Sequence, residues 1–268
     1  MLLVPGAIGC GPPVYADRVW GSLAPMPPSR QGRQDQRMGM DTLDATSPAW
    51  SLSRARLNAL RAELPRTPYV EHVRVRITDP RTKSSYEARG AVAISPGSTV
   101  RMILLGPAGT TALDLWVRED RFRFAVPAIH LEKRGATLPE LTRGLPVGFF
   151  RWWFLSPLSG RLLAAHSRPD ETSFLLKDDR AIVTVRAGSS ELIALRREGE
   201  NVERISWLPC TLDRFQVESR IKPCAGARGR YTDERTGLVV DVVVEDVAPA
   251  PPDPAAFDDP DEPQGASQ

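Results

Sequence analysis

From Pro68 to Val126 apolar side chains recur at every second residue, and a period of two excludes a helical bundle. Val73, Val75 and Ile77 alternate with His72, Arg74 and Arg76. Tyr86, Ala88, Gly90, Val92 and Ile94 continue the pattern before a turn at Pro96-Gly97. Val100, Met102 and Leu104 precede a turn at Gly106-Pro107-Ala108-Gly109. Leu113, Leu115 and Val117, then Phe122, Phe124 and Val126, flank the turn at Glu119-Asp120. Short strands with one apolar and one polar face, separated by turns, describe an antiparallel meander.

Further strands are expected at Thr172–Leu176, Ala181–Ala187, Glu191–Arg196, Val202–Leu208, Leu212–Ile221 and Leu238–Val247. About eleven strands around one helical insertion point to a mainly β chain, a large curled sheet or half-open antiparallel barrel. The insertion begins with a capping box, Thr137 and Glu140, and Gly144 suits a helix stop. A second short helix from Pro146 to Phe154 carries Phe149, Phe150, Trp152, Trp153 and Phe154. At helical spacing these aromatics cannot share one face. Phe149, Phe150 and Trp153 suit a lid over the barrel mouth, and Trp152 is expected at the wet rim. The alternative is ordinary core packing.

An earlier helix is expected from Ser51, where Leu57, Leu60 and Leu64 recur at three and four residues and Pro65 ends the run. The 25 prolines concentrate at the two ends of the chain. The reading is therefore an apolar start over 1–10, a disordered Pro-rich linker over 11–50, a β domain over 51–247 and an acidic Pro-rich tail over 248–268. Phe257 is the tail's expected anchor.

The net charge of +2 hides an asymmetry, because residues 236–268 hold eight acidic and no basic residues. The rest carries 35 basic against 25 acidic residues, and 31 of the 35 are Arg. They are spread singly along alternating segments, which fits a solvated sheet face and not a nucleic-acid surface. No nucleic-acid partner is expected.

Cys10 follows an apolar segment, Leu2-Leu3-Val4-Pro5-Gly6-Ala7-Ile8-Gly9, in the manner of a lipoprotein signal whose Cys receives lipid. An incidental Cys in a disordered terminus is the alternative. Cys210 and Cys224 are expected within bridging distance across a pair of strands, with two unpaired thiols as the alternative. Neither Cys has a His or third Cys at ligand spacing, so no metal is expected.

Motifs for covalent chemistry are missing from the sequence: no H-E-x-x-H, no G-x-S-x-G and no G-x-G-x-x-G. His72, His130 and His166 lie in unrelated segments, and Asp178-Asp179 reads as a turn. No enzyme and no cofactor is expected.

Two motifs carry a family resemblance. Arg101-Met102-Ile103-Leu104-Leu105-Gly106-Pro107-Ala108-Gly109-Thr110-Thr111-Ala112-Leu113-Asp114-Leu115 resembles the strand–turn–strand element of the LolB/LolA-like outer-membrane lipoproteins. Leu141-Thr142-Arg143-Gly144-Leu145-Pro146-Val147-Gly148-Phe149-Phe150-Arg151-Trp152-Trp153 resembles the family's helical element at the matching interval. The match covers about residues 85–160.

The resemblance implies an eleven-stranded half-open barrel with a helical lid over an apolar cavity for acyl chains. It also implies a lipid anchor and a place on the periplasmic face of the outer membrane. The family inserts cargo with an exposed Leu at the tip of the turn, where this chain has Ala108. The expected function is binding of acyl chains or lipoproteins by a monomer, with Leu104, Leu113, Leu115, Phe122 and Phe124 lining the cavity. The rival is a structural or interaction lipoprotein whose barrel is filled by its own side chains. A lipid hydrolase comes third and lacks a nucleophile–base pair. Connected apolar space of several hundred Å³ would favour binding; a tightly packed interior would favour the rival.

Overall fold

Half-apolar strands can hide their inner faces only by pairing edge to edge and curling. The computed structural model describes residues 48–80, 82–167, 171–178, 181–188, 191–210 and 223–261. It contains a helix α1 (Pro48–Ala62), then β1 (Tyr69–Thr78), β2 (Ser85–Ser95), β3 (Thr99–Leu105), β4 (Thr111–Arg118), β5 (Arg121–Val126) and β6 (Leu131–Ala136). A second helix, α2, is one α turn over Val147–Phe149 that continues as a π-helix over Phe150–Leu155. Then follow β7 (Arg161–Ser167), β8 (Glu171–Lys177), β9 (Ile182–Gly188), β10 (Leu192–Glu198), β11 (Asn201–Leu208), β12 (Arg228–Asp233) and β13 (Val239–Val247).

All described pairings are antiparallel, in one sheet ordered β6-β5-β4-β3-β2-β1-β13-β12-β11-β10-β9-β8-β7. β1 is the pivot: Val75 lies opposite Ala88 of β2 on one side and Val242 of β13 on the other. Two limbs therefore run outward from β1 and end at β6 and β7. The segment joining those two edges, residues 137–160, is the one that carries α2.

The described residues correct the expected count from about eleven strands to thirteen. β6, β7 and β12 were not foreseen, and the expected strand Leu212–Ile221 lies outside the described residues. So do Cys10, the linker as far as residue 47 and the tail beyond 261. α1 begins at Pro48, inside the expected linker. The expected helix at Thr137–Gly144 is absent. The Thr137 hydroxyl donates to the Glu119 carbonyl at 2.6 Å instead of capping, and the segment forms turns around Leu138.

Inward positions on both limbs form one core, with Val73, Met102, Leu115 and Phe122 on one limb and Phe174, Val185, Ile205 and Val242 on the other. Outward positions carry Arg and acidic residues paired across strands. Arg101 and Arg123 share Asp114, Arg74 and Arg89 share Glu245, and Arg230 holds Asp241. Each such pair contributes about 0.2–1 kcal/mol, and together they account for arginines scattered singly along the strands.

One edge and part of the outer face are covered. Arg61 of α1 donates to the carbonyls of Leu158 and Gly160, and Arg56 donates to Thr172 Oγ1 at 2.9 Å, so α1 packs on β7 and β8. On the outer face the tail covers Trp116, whose indole Nε1 donates to the Phe257 carbonyl at 3.0 Å. Asp259 and Asp261 pair with Arg121 and Arg123 beside it. Phe257 thus anchors through its backbone, with its ring only half-buried.

Candidate functional site: the filled interior of the half-barrel

Seven of the nine residues of α2 are buried, including Phe149, Phe150, Trp152, Trp153 and Phe154. Consecutive side chains point about 100° apart on an α-helix and somewhat less on a π-helix, so an unbroken run of aromatics reaches around the axis toward both limbs. Phe150 stacks on Phe154 at 5.4 Å, and Phe149 meets both rings edge-on. Across the interior, Phe149 packs on Tyr231 of β12 at 5.3 Å and Trp153 on Trp207 of β11 at 5.2 Å. Such ring pairs add about 0.5–1.5 kcal/mol each beyond their buried area.

The sequence-derived cavity residues come together. Leu104, Leu113, Leu115, Phe122 and Phe124 share one core with Phe149, Phe150, Trp152 and Trp153. What they surround differs from expectation, because the aromatics of α2 lie within the concave face and fill it. Trp152 lies at the wall of a concavity beside the first turn of α2. It is 4% exposed, and its indole Nε1 has no hydrogen-bond partner among the described residues.

Beneath the first turn of α2 sits a buried polar network. Arg196 donates to Glu203 at 2.8 Å and to Glu198 at 2.6 Å, and the Tyr231 hydroxyl donates to Glu203 Oε1 at 2.8 Å. Burial alone would lower the Arg196 guanidinium, but the carboxylates of Glu203 and Glu198 overcome it and raise its pKa. Burial, then Glu203, hold the Tyr231 hydroxyl well above its ordinary value. Gly148 is required here, because a Cβ would collide with Glu203 Oε1, itself fixed by Arg196 and Tyr231. Beside this network lies the same concavity, of about 570 Å³, with a mixed lining, polar at Thr137, Arg151, Arg161 and Glu203 and apolar at Val147 and Trp152.

At the other end of α2 is a smaller cavity of about 120 Å³, walled by Trp153, Phe154, Tyr69, Glu71 and Trp207. Glu71 is fully buried, and burial pushes its carboxyl up to about 8. Neither Glu71 Oε2 nor the indole Nε1 of Trp207 has a partner among the described residues. The sequence reading missed Glu71. Its parity was the signal, since Glu71 shares the inward set with Val73 and Val75 and so sits at a core position.

Ala108 stands apart from the interior, exposed at the tip of the β3–β4 turn in a left-handed conformation (φ 58°). Cys210 and Cys224 are joined by a disulfide with Cα atoms 6.0 Å apart. Closing a loop of that separation stabilises by about 3 kcal/mol in the chain-entropy picture. His72 lies on the outer surface beside Asp246, 3.7 Å away.

No family model matches the chain, and no curated protein matches it. Among solved structures it is similar to a LolA superfamily protein from Nitrosomonas europaea, at 13% identity and a TM-score of 0.42, over 77% of this chain and 97% of that one. It is similar to a putative outer membrane lipoprotein-sorting protein domain from Vibrio parahaemolyticus, at 9% identity and 0.43, over 77% and 97%. A DUF1329 family protein from Desulfovibrio piger is similar at 7% identity and 0.45, over 78% and 96%.

Proposed function

We propose that the half-barrel binds one acyl chain, free or carried by a lipoprotein, in the space the α2 aromatics fill, and that α2 swings out to admit it. The observation that carries this reading is the connectivity. α2 belongs to the link between edge strands β6 and β7, and no ladder joins those strands among the described residues. It can leave without breaking a strand pairing.

The exchange is close to balanced. About twelve methylenes at ~0.8 kcal/mol each give roughly 10 kcal/mol, and five large side chains at ~1.5–3 kcal/mol each give a similar sum. Release of α2 also returns the orphaned indole of Trp152 to water. Titration with a pyrene-labelled long-chain fatty acid tests this, paired with hydrogen exchange. Saturable one-to-one binding is expected, with faster exchange of amides 147–155 and unchanged protection in β3 and β4. No binding overturns the reading and favours the self-filled structural alternative, which the packed interior otherwise supports; binding that leaves α2 protected overturns the claim that the ligand takes the place of α2.

The same reading places the chain in the cell envelope as a monomer anchored to the outer membrane by lipid on Cys10. The motif resemblance supports it, as does the Cys210–Cys224 bridge, a kind of link that persists in oxidising compartments. Mass spectrometry of protein from its native source is expected to find a diacylglyceryl-modified Cys10 as the first residue; an unmodified residue before it ends the anchor proposal. With a single exposed methyl at Ala108, the proposal covers binding and not insertion of cargo.

A further inference from the structure

We infer that the small cavity between Glu71 and Trp207 receives the carbonyl end of the bound acyl group, with the Glu71 carboxyl and the Trp207 indole N–H as its hydrogen-bond donors. This rests on the acyl-binding reading and assigns the polar end of that ligand. Glu71 is 2% exposed and Trp207 3%, both residues line the same cavity, and each has a buried polar atom without a partner among the described residues. Buried groups left in that condition each cost about 1–3 kcal/mol, a cost a partner arriving with a ligand removes.

The chemistry of the pair selects the partner. An indole Nε1 only donates. With its carboxyl pushed up to about 8 by burial and no ion pair to it among the described residues, Glu71 is protonated at neutral pH and donates through its O–H. Two donors call for an acceptor with two lone pairs, the carbonyl oxygen of an ester, amide or acid. A cation would satisfy Glu71 and leave the indole unpaired. In the remaining wall Pro65, Pro96 and Pro157 have no N–H and Leu64 contributes an apolar side chain, while Tyr69, the neighbour of Glu71, brings a hydroxyl that can serve as a further donor.

Position and size agree with this assignment. Trp153, Phe154 and Leu155 of α2 form part of the wall, so the cavity adjoins the volume that α2 vacates. With α2 in place the space of about 120 Å³ holds about four waters at ~30 Å³ each; with α2 out, its Glu71 and Trp207 side opens onto the vacated volume. Trp207 itself is held in place, because its ring lies against the Cα of Gly229 where any Cβ would clash at 2.6 Å.

The test compares two neutral probes of equal chain length, pyrenyl-dodecanoic acid methyl ester and dodecylpyrene, on the full chain. The parent is expected to bind the ester about tenfold more tightly, the effect of a buried carbonyl finding its donors. In Glu71→Leu and in Trp207→Phe the ester-to-alkane ratio falls toward one. Glu71→Gln retains it, because the amide N–H still donates. Equal binding of the two probes by the parent, or a ratio intact in both Glu71→Leu and Trp207→Phe, overturns the carbonyl site while the acyl reading stands; water filling the cavity gives this result. Failure of the parent to bind either probe overturns the acyl reading itself.

Discussion

Glu71→Gln is expected to be more stable than the parent at pH 8.5 by roughly 4 kcal/mol, and to match it closely at pH 4.5. The Glu71 carboxyl titrates near 4.5 when unfolded and near 8 when folded, raised by burial. Between those values the native state holds a proton that the unfolded chain has released. Stability from this group is therefore full below pH 4.5, falls as pH rises, and is lost once pH passes about 8. Each pH unit in that window costs at most about 1.4 kcal/mol. Gln keeps the shape and cannot ionise, so the difference between the two stability curves isolates this group. Glu245, held below its ordinary range by Arg74 and Arg89, is present in both proteins and cancels. Tyr69 is the titratable neighbour coupled to Glu71, and burial first and Glu71 second keep it neutral through this window. Urea unfolding at half-unit pH steps measures the curves; parallel curves would show that Glu71 reaches water in the folded protein.

Phe150→Ala is expected to cost about 3–5 kcal/mol of stability and, in the same protein, to tighten binding of the fatty-acid probe about a hundredfold or more. The first effect follows from packing, because Phe150 is fully buried, stacked on Phe154 and edge-on to Phe149. The second follows from competition. If the closed form excludes ligand, apparent affinity scales with the fraction of molecules whose α2 is out, and weakening closure raises that fraction. Unfolding midpoints and probe titrations on one preparation report both quantities. A stability loss with unchanged or weaker binding would mean that α2 is not what the ligand displaces. Absence of binding in both proteins would leave a barrel stabilised by its own aromatics.

The β class of the domain was legible because side-chain alternation is a local property. Val73, Val75, Leu113, Leu115, Phe122 and Phe124 each declare their face from the residues on either side. Strands without that contrast were not legible. β6 (Leu131-Glu132-Lys133-Arg134-Gly135-Ala136) is an edge with a charged run and no buried face, and charge is what keeps an exposed edge from pairing further. β7 carries a bulge between Leu162 and Ala164 that breaks its period. β12 turns Gly229, Tyr231 and Asp233 inward, residues that read as a turn until Tyr231 is seen against Phe149 and Glu203.

The Thr137–Glu140 capping box misled for a related reason. A cap is worth about 1 kcal/mol, and the Thr137 hydroxyl found the Glu119 carbonyl at the foot of the β4–β5 hairpin, a tertiary partner no local window contains. The sequence by itself determined that the chain forms a curled antiparallel sheet interrupted by one aromatic helix, since periodicity and turn chemistry act over a few residues. Only the tertiary structure decided that this helix fills the interior instead of roofing it. The same holds for the pairing of β1 with β13, some 170 residues away, and for Glu71 and Trp207 facing one cavity. Those outcomes depend on which volumes fit together across the curl, and volume is matched between residues that are neighbours in space alone.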